Sequence, residues 1–296
     1  MCGITGILIK DPARRPELGA WATPMLTSLA ERGPDSAGLA VFAAEAGPTR
    51  FSLLAEDPDF DWHALATALG ETLAGPHSVD PNGRHARLQL EVEPATLAEW
   101  LGEHFPGVHL LAAGGRMDLY KDAGHPEAVA RRYGFPGLSG GHAVGHTRMA
   151  TESAVTPAHA HPFSAGRDFC LVHNGSLSNP HSLRRRLERK GVGFDSDNDT
   201  EAACRYLQWR LAEGDELETA LESGFSELDG FYTLLLGTEE GLALVRDPFA
   251  CKPAVVAETD AYVAIGSEFR ALAHLPDIEH AEIYEPRPEA IYTWRH

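Results

Sequence analysis

The order in which strand-like and helix-like stretches follow one another constrains this chain most. Asn179–Lys190 and Asp199–Leu211 both read as helices, one after the other. After Gly230 come four strand-like runs, Phe231–Leu236, Leu242–Arg246, Ala254–Ala257 and Tyr262–Ile265, with no helix-length pattern between them. Grouped helices and grouped strands favour stacked sheets flanked by helices over a parallel doubly wound sheet, in which the two alternate. The start of the chain agrees. Gly3–Ile9 predicts a strand, and Leu18, Trp21, Ala22, Met25, Leu26 and Leu29 recur on one face of a helix. Gly33-Pro34-Asp35 ends that helix, and Ala37–Ala43 predicts a second strand.

Between residues 44 and 140 the texture changes. Glu56-Asp57-Pro58-Asp59 and Pro76–Gly83 read as turn clusters. Leu88, Leu90 and Val92 alternate as in a strand with one face buried, and Pro94 opens a helix carrying Leu97, Trp100 and Leu101. Val108–Ala112 and Met117–Lys121 predict strands, and Pro126–Tyr133 a helix. This stretch is expected to form a small α+β module. Gly141–Gly175 has strand texture broken by loops rich in Gly, His, Thr and Pro, and Asn179 is placed to cap the helix after it.

Composition excludes several function classes. With 25 Lys and Arg against 43 Asp and Glu, the formal charge is −18. That disfavours a nucleic-acid partner, because grip on phosphate backbones rests on clustered cations. The one basic cluster, Arg184-Arg185-Arg186 with Arg189 and Lys190, reads as the solvated face of a helix. The N-terminus lacks a signal-peptide pattern, and no apolar run reaches the ~18–20 residues of a membrane span. Cys2, Cys170, Cys204 and Cys251 are widely spaced, without a CxxC, and read as free thiols. The expectation is a cytoplasmic protein without a membrane partner.

Cys2 follows Met1 directly. Removal of the methionine would make Cys2 N-terminal, with a free α-amino group, whose pKa is ordinarily about 7.7–8.0, on the same residue as the thiol. Such an amine can act as the thiol's general base. Taken alone, Cys2 reads as a small apolar residue at a strand start.

Its company decides between the two. Met1-Cys2-Gly3-Ile4-Thr5-Gly6-Ile7 is followed by Arg32-Gly33-Pro34-Asp35-Ser36, Gly145-His146-Thr147-Arg148-Met149-Ala150-Thr151, His161-Pro162-Phe163 and His173-Asn174-Gly175. Then come Asp199-Thr200-Glu201, Arg246-Asp247-Pro248 with Lys252-Pro253, and Ser267-Glu268. Together, in this order, they resemble the motifs of class II glutamine amidotransferases, the N-terminal-nucleophile glutaminases. The resemblance covers roughly residues 2–43 and 141–270. It implies an α+β fold, a four-layer αββα sandwich of two antiparallel sheets between helices. The whole chain, 1–296, would be one such domain with 44–140 inserted in it.

The resemblance also implies roles. Cys2 would attack the side-chain amide of L-glutamine, form a γ-glutamyl thioester and release ammonia. Asn174, through its side-chain amide, and Gly175, through its N–H, would hold the oxyanion. Taken by itself, Asn174-Gly175 reads as a type I′ hairpin turn. Arg148 would clamp the substrate carboxylate, with a surface ion pair as its plain alternative. Asp199 would hold the substrate ammonium, with a first-turn helix acid as its alternative. Arg32 matches an arginine beside the nucleophile, and Thr151 and His161 match positions walling the glutamine pocket. The chain departs from the family pattern at Asn198, where many members have Ser, and at Ala250, where Gly is usual. It departs also in the long gap between Ser36 and Gly145.

A different reading comes from His142, His146, His159, His161 and His173, of which His159-x-His161 on a strand would form a metal pair. His161 and His173 are already accounted for by the motifs above, so no metal is expected. Beyond Ser267-Glu268 only about 28 residues remain, too few for a synthase domain. The expectation is therefore a glutaminase subunit passing ammonia to a separate synthase subunit. The layout resembles the small glutaminase subunits of glutamate-synthase-like complexes, such as that of N-methylglutamate synthase. This chain would then hold no cofactor, and FMN and iron–sulfur centres would belong to the partner subunits. The alternatives are a free-standing glutaminase and a subunit serving another acceptor.

Overall fold

The structure, a computed structural model, describes residues 2–73, 75–150 and 155–296. The first strand, β1 (Gly3–Ile9), is buried along its whole length and serves two cores. Ile4 and Leu8 point to one side, Ile7 and Ile9 to the other. A run apolar on both faces belongs inside a layered fold rather than at its surface. Next, α1 (Leu18–Thr27) buries Leu18, Trp21, Ala22, Met25 and Leu26, and Leu29 just beyond its end is buried too. The chain then turns into β2 (Ser36–Phe42).

A separate unit follows: β3 (Arg50–Ala55), α2 (Trp62–Thr72), β4 (His77–Asn82), β5 (His85–Leu90), α3 (Pro94–His104) and β6 (Val108–Gly114). Its four strands pair antiparallel in the order β4-β5-β3-β6. Phe51, Leu53, Trp62, Leu65, Leu88 and Trp100 form its own core. Pro76–Gly83, read above as a turn cluster, holds β4 instead. Its Pro81 sits on an edge strand, where a missing N–H breaks no ladder.

The remainder is β7 (Met117–Ala123), α4 (Pro126–Arg132), β8 (His142–Arg148), β9 (Phe163–Ser164), β10 (Cys170–Leu177), α5 (Pro180–Glu188), α6 (Asp199–Ala212) and α7 (Leu217–Glu227). Then come β11 (Gly230–Gly237), β12 (Gly241–Arg246), β13 (Val255–Glu258), β14 (Tyr262–Gly266), β15 (Glu282–Tyr284) and β16 (Ala290–Arg295). One sheet runs β15-β13-β14-β1-β8-β2-β7 and the other β16-β12-β11-β10-β9. Every strand pairing in both is antiparallel.

Three cores define the layers. Ile4, Phe42, Val144, Val172, Leu235 and Ile265 fill the space between the sheets. Helices α1 and α4 cover the outer face of the first sheet. Helices α5, α6 and α7 cover the outer face of the second. This is the four-layer αββα sandwich of N-terminal-nucleophile hydrolases. Arg185, Arg189 and Lys190 lie on the solvated face of α5, whereas Arg184 turns inward to the carbonyls of Ser196 and Asn198. Asn179 stands at the start of α5 but does not cap it. Its side chain bonds the Glu227 carbonyl and the Asp229 N–H instead.

The expected module boundaries of 44–140 are too wide. β7 pairs with β2 along its whole length, Ser36 opposite Ala123 through Phe42 opposite Met117, and so belongs to the sandwich. Val129 and Ala130 of α4 lie in the same core as α1. The separate sheet covers 50–114. Two carboxylates bind it to the sandwich. Asp168 accepts the N–H groups of Gly115, Arg116 and Met117, each at 2.8 Å. Asp122, buried, takes Arg84 from the module and Arg132 and Tyr133 from the sandwich.

Candidate active site

The site lies where the two sheets meet at one end. Gly3 in β1 pairs with Thr147 in β8, so the register carried one residue on sets Cys2 beside Arg148. Arg148 also pairs with Ser36 at the start of β2. Cys2 Sγ lies 4.0 Å from the Met149 carbonyl. Met1 and Thr151 lie outside the described residues.

The backbone around Cys2 is fixed by neighbouring motifs. Ile4 N–H donates to Ser267 Oγ at 2.9 Å, and Ser267 N–H returns a bond to the Ile4 carbonyl at 3.0 Å. Arg32, buried, donates from Nε to the Cys2 carbonyl at 3.0 Å and pairs through Nη1 with Glu268. Burial works to raise the Glu268 carboxyl. The Arg32 hydrogen bond and charge, with Arg270, outweigh it and hold the group below its ordinary range. Arg32 therefore fixes the Cys2 backbone. Asp35 closes the same end by accepting Ala150 N–H at 2.8 Å, while its own N–H donates to the Arg148 carbonyl. Gly33 makes this approach possible, since a Cβ there would stand 2.5 Å from Arg148 N.

Asn174 and Gly175 do not form a turn. They sit inside β10, opposite Thr233 and Tyr232 of β11. Tyr232 exchanges both backbone bonds with Asp247 on its far side, through Asp247 N–H and Oδ2. Gly175 and Tyr232 are thus a non-hydrogen-bonded pair, and Gly175 points its N–H away from β11. The flanking positions on that edge are engaged. The His173 carbonyl accepts from His146 Nε2 at 3.2 Å, and Leu177 N–H donates to Asp199 Oδ2 at 3.0 Å. β9 covers this edge only at Cys170 and Leu171.

Gly175 has φ +144°, and a Cβ there would stand 2.1 Å from the Phe231 carbonyl oxygen, so no other residue fits. Asn174 shares its face of β10 with Cys170 and Val172, which line the space between the sheets. It is 2% exposed, and its Nδ2 has no hydrogen-bond partner among the described residues. A buried amide donor left unmade is costly, by about 1–3 kcal/mol, and needs an explanation. His146 is opposite Ile4 in β1 and touches His173, so Cys2 and Asn174 stand near the same contact between sheets.

Behind this edge lies a buried histidine layer. His161 Nε2 lies 2.6 Å from Thr200 Oγ1, and His173 Nδ1 contacts the same hydroxyl. One hydroxyl hydrogen serves both, so one imidazole donates to Thr200 and the other accepts from it. His161 stacks on His146, ring centroids 4.1 Å apart. Burial, with His173 next, pushes His146 down to about 3, and burial likewise holds His161 well below its ordinary value. His173 Nε2 stands 3.6 Å from Asp199. Asp199 opens α6, while Asn198 caps that helix by accepting Thr200 N–H at 2.9 Å.

His159 and His161 do not form the metal pair considered above. His159 lies in a short 3₁₀ turn and reaches Asp197 at 3.0 Å, while His161 turns inward to Thr200. Among the described residues no group of three His, Cys, Asp or Glu side chains could hold a metal ion. No helix among them is long and apolar enough to cross a membrane.

Thr200, Glu201 and Glu268 stand inside the motif runs, but their residue types alone suggest no role. Glu201 is buried and accepts the N–H groups of Asp195 and Ser196, each at 2.8 Å, which shapes the loop before Asp199. The signal was their position within the runs. Their partners are set by folding and are not visible in sequence.

Comparison with known proteins agrees with this geometry. Residues 146–274 match the glutamine amidotransferase domain family. The glutamine amidotransferase-like protein GlxB of Rhizobium meliloti (strain 1021) is 47% identical over 301 residues, covering 100% of this chain and 99% of its own. The amidophosphoribosyltransferase of Methanocaldococcus jannaschii is 32% identical over 180 residues, 58% of this chain and 38% of that protein. Among solved structures, the glutamine PRPP amidotransferase of B. subtilis superposes with a TM-score of 0.62 at 20% identity, covering 97% of this chain and 46% of that one, and so shares its fold. With a relative this similar over its full length, the N-terminal-nucleophile sandwich and the assembled motifs, the chain belongs to the class II glutamine amidotransferases and is an enzyme of that family.

Proposed function

We propose that this chain is the glutaminase subunit of a two-component amidotransferase. Cys2 attacks the side-chain amide carbon of L-glutamine. The oxyanion that forms is held by Asn174 Nδ2 and the Gly175 N–H, and its collapse expels ammonia and leaves a γ-glutamyl thioester that water hydrolyses to glutamate. Arg148 takes the substrate α-carboxylate and Asp199 its α-ammonium. Arg32 positions Cys2, and His161 positions Thr200 and His173. Thr151 belongs to the pocket wall. With Met1 removed, the Cys2 amine serves as the base.

The observation that carries this reading is the buried amide of Asn174, an unpartnered donor beside a strand N–H turned away from its neighbour. Two donors preorganised on one rigid strand are what a developing oxyanion requires and what a merely structural asparagine would not leave open.

Ammonia passes to a separate synthase of the glutamate-synthase type, in the manner of N-methylglutamate synthase. Support comes from the GlxB-like relative, which matches this chain end to end without a fused synthase, whereas the amidophosphoribosyltransferase is far longer than its matching part. Flavin and iron–sulfur centres then reside on the partner. The test is affinity capture from source cells, identification of co-purifying subunits, and glutamine turnover with and without them. The proposal predicts low turnover alone and a large rise when the synthase and its acceptor are added. Full activity in an isolated chain with no co-purifying synthase would make it a free glutaminase.

A further inference from the structure

Thr200 stands where three of the motif runs meet. It is buried as the second residue of α6, directly after Asp199, and the Asn198 cap takes its N–H at 2.9 Å. Its hydroxyl reaches His161 Nε2 at 2.6 Å and also contacts His173 Nδ1. His173 immediately precedes Asn174 in β10, and successive side chains of a strand leave on opposite faces. His173 therefore turns toward α6 while Asn174 turns into the space between the sheets. β9 pairs with β10 only at Cys170 and Leu171. Beyond them this edge is held by His146 on the His173 carbonyl, by Asp199 on the Leu177 N–H and by Thr200 on the His173 ring.

The ring hydrogens follow from what each nitrogen faces. A carbonyl only accepts, so His146, 3.2 Å from the His173 carbonyl, carries its hydrogen on Nε2. Burial keeps His161 neutral, with a single ring hydrogen. Thr200 has one hydroxyl hydrogen for two imidazoles. Were it given to His161, a neutral His173 would hold its own hydrogen on Nδ1 and turn an Nε2 lone pair on the Asp199 carboxylate, 3.6 Å away. His161 would then keep an N–H on Nδ1, which is buried without a partner among the described residues. That orphaned N–H arises also with a doubly protonated His173. With the hydroxyl hydrogen on His173 Nδ1 instead, both penalties vanish. His161 Nε2–H donates to Thr200, the Thr200 O–H donates to His173, and His173 Nε2–H faces Asp199.

We propose that Thr200 is a positioning residue for the oxyanion site. Its hydroxyl fixes the tautomer and the place of the His173 ring, and through that ring the part of β10 that presents Asn174 Nδ2 and the Gly175 N–H. This deepens the reading of those two groups as oxyanion donors and rests on it. Asp199 is held separately, by the Leu177 N–H at 3.0 Å. Loss of the hydroxyl therefore acts on chemistry more than on the hold of glutamine.

Thr200→Val keeps the shape of the side chain and removes the hydroxyl. Steady-state glutamine turnover by the full chain should show kcat lowered roughly 10- to 10²-fold, with KM changed by less than about threefold. Thr200→Ser, which keeps a hydroxyl, should bring kcat back to within about threefold of the parent. On top of Asn174→Ala, Thr200→Val should slow turnover by about threefold at most, because the donor it positions is gone. Thermal melts check that each variant is folded at the assay temperature. Histidine ring nitrogen NMR of the parent protein tests the chain without any substitution, and should place the hydrogen of His146, His161 and His173 on Nε2. Parental kcat in Thr200→Val beside a slow Asn174→Ala would overturn this inference alone. So would a full Thr200→Val effect repeated on Asn174→Ala, a Thr200→Ser enzyme as slow as Thr200→Val, or a hydrogen found on Nδ1 of His161. Asn174→Ala at the parental rate would bring down the oxyanion reading itself, and this inference with it.

Discussion

The end of the sandwich around Cys2 and the module at 50–114 bury comparable side chains for opposite purposes. In the module, Phe51, Leu53, Leu88 and Trp100 close an apolar core. At the sandwich end, Arg32, Arg148, His146, His161, Asn174 and Glu201 are all buried. Several buried polar atoms there have no partner among the described residues, Asn174 Nδ2 with Ser36 Oγ and a nitrogen each of Arg32, His146, His161 and His173. Buried polar groups are expensive unless satisfied. The contrast separates a region selected for packing from one in which packing holds chemistry in place.

The sharpest way to break that contrast is a pair of substitutions. Leu88→Ala in the module core should lower unfolding free energy by about 2–5 kcal/mol, measured by urea denaturation, yet leave the kcat of the folded enzyme unchanged. Asn174→Ala should do the reverse, slowing glutamine turnover roughly 10²–10³-fold, about 2.7–4 kcal/mol of transition-state stabilisation, with a small change in stability. A slow Leu88→Ala enzyme, or a fast Asn174→Ala enzyme, would dissolve the distinction.

Acid should expose the same difference. Burial lowers His142 and His146 to about 3 and His85, at the module edge, to about 4, and holds His161 well below its ordinary value. Unfolded, each titrates near 6.5. Between those limits the unfolded chain binds more protons, so the stability these groups contribute is complete above pH 6.5 and declines as pH falls toward 4. Each contributes up to about 1.4 kcal/mol per pH unit. Denaturant midpoints at pH 7.5, 6 and 5 should fall in that order, and midpoints flat across this range would contradict the buried layer.

The smallest expected effect is at Ala250. Its φ of +48° falls in the left-handed region, which a Cβ disfavours. Ala250→Gly should stabilise the protein by about 0.5–1 kcal/mol, the relief of strain less the added entropy of the unfolded chain. A thermal melt reads it, and a lowered Tm would show that the loop after Asp247 tolerates alanine without strain.

What was legible in the sequence follows the range of the interactions. β1, α1 and the strands after Gly230 showed in local pattern, because both periodicity and burial are local there. Ala250 was visible as a departure at a position where Gly is usual, and its positive φ supplies the physical reason. The Asn174-Gly175 pair misleads locally. Its dipeptide signals a hairpin, but β11 and the Asp247 loop hold it in mid-strand. The module limits failed for a related reason. Met117–Lys121 was read as a strand, and nothing near it says that its partner is β2, about eighty residues earlier. α2 and α7 escaped notice although Asp61 caps α2 and Trp62, Leu65 and Leu69 line one face of it, because the surrounding turn clusters dominated the pattern. The sharing of Thr200 by His161 and His173 joins three distant motifs and has no local signature.

The most direct test of the central claim is glutamine turnover by Cys2→Ala beside the parent protein, after intact-mass analysis has established that Met1 is absent from the parent. Ammonia and glutamate are measured as products, and glutamine binding is followed in parallel by calorimetry. The account predicts no detectable turnover with binding retained, since it gives the holding of substrate to Arg148 and Asp199 and the chemistry to the thiol. Turnover at the parental rate in Cys2→Ala would contradict it.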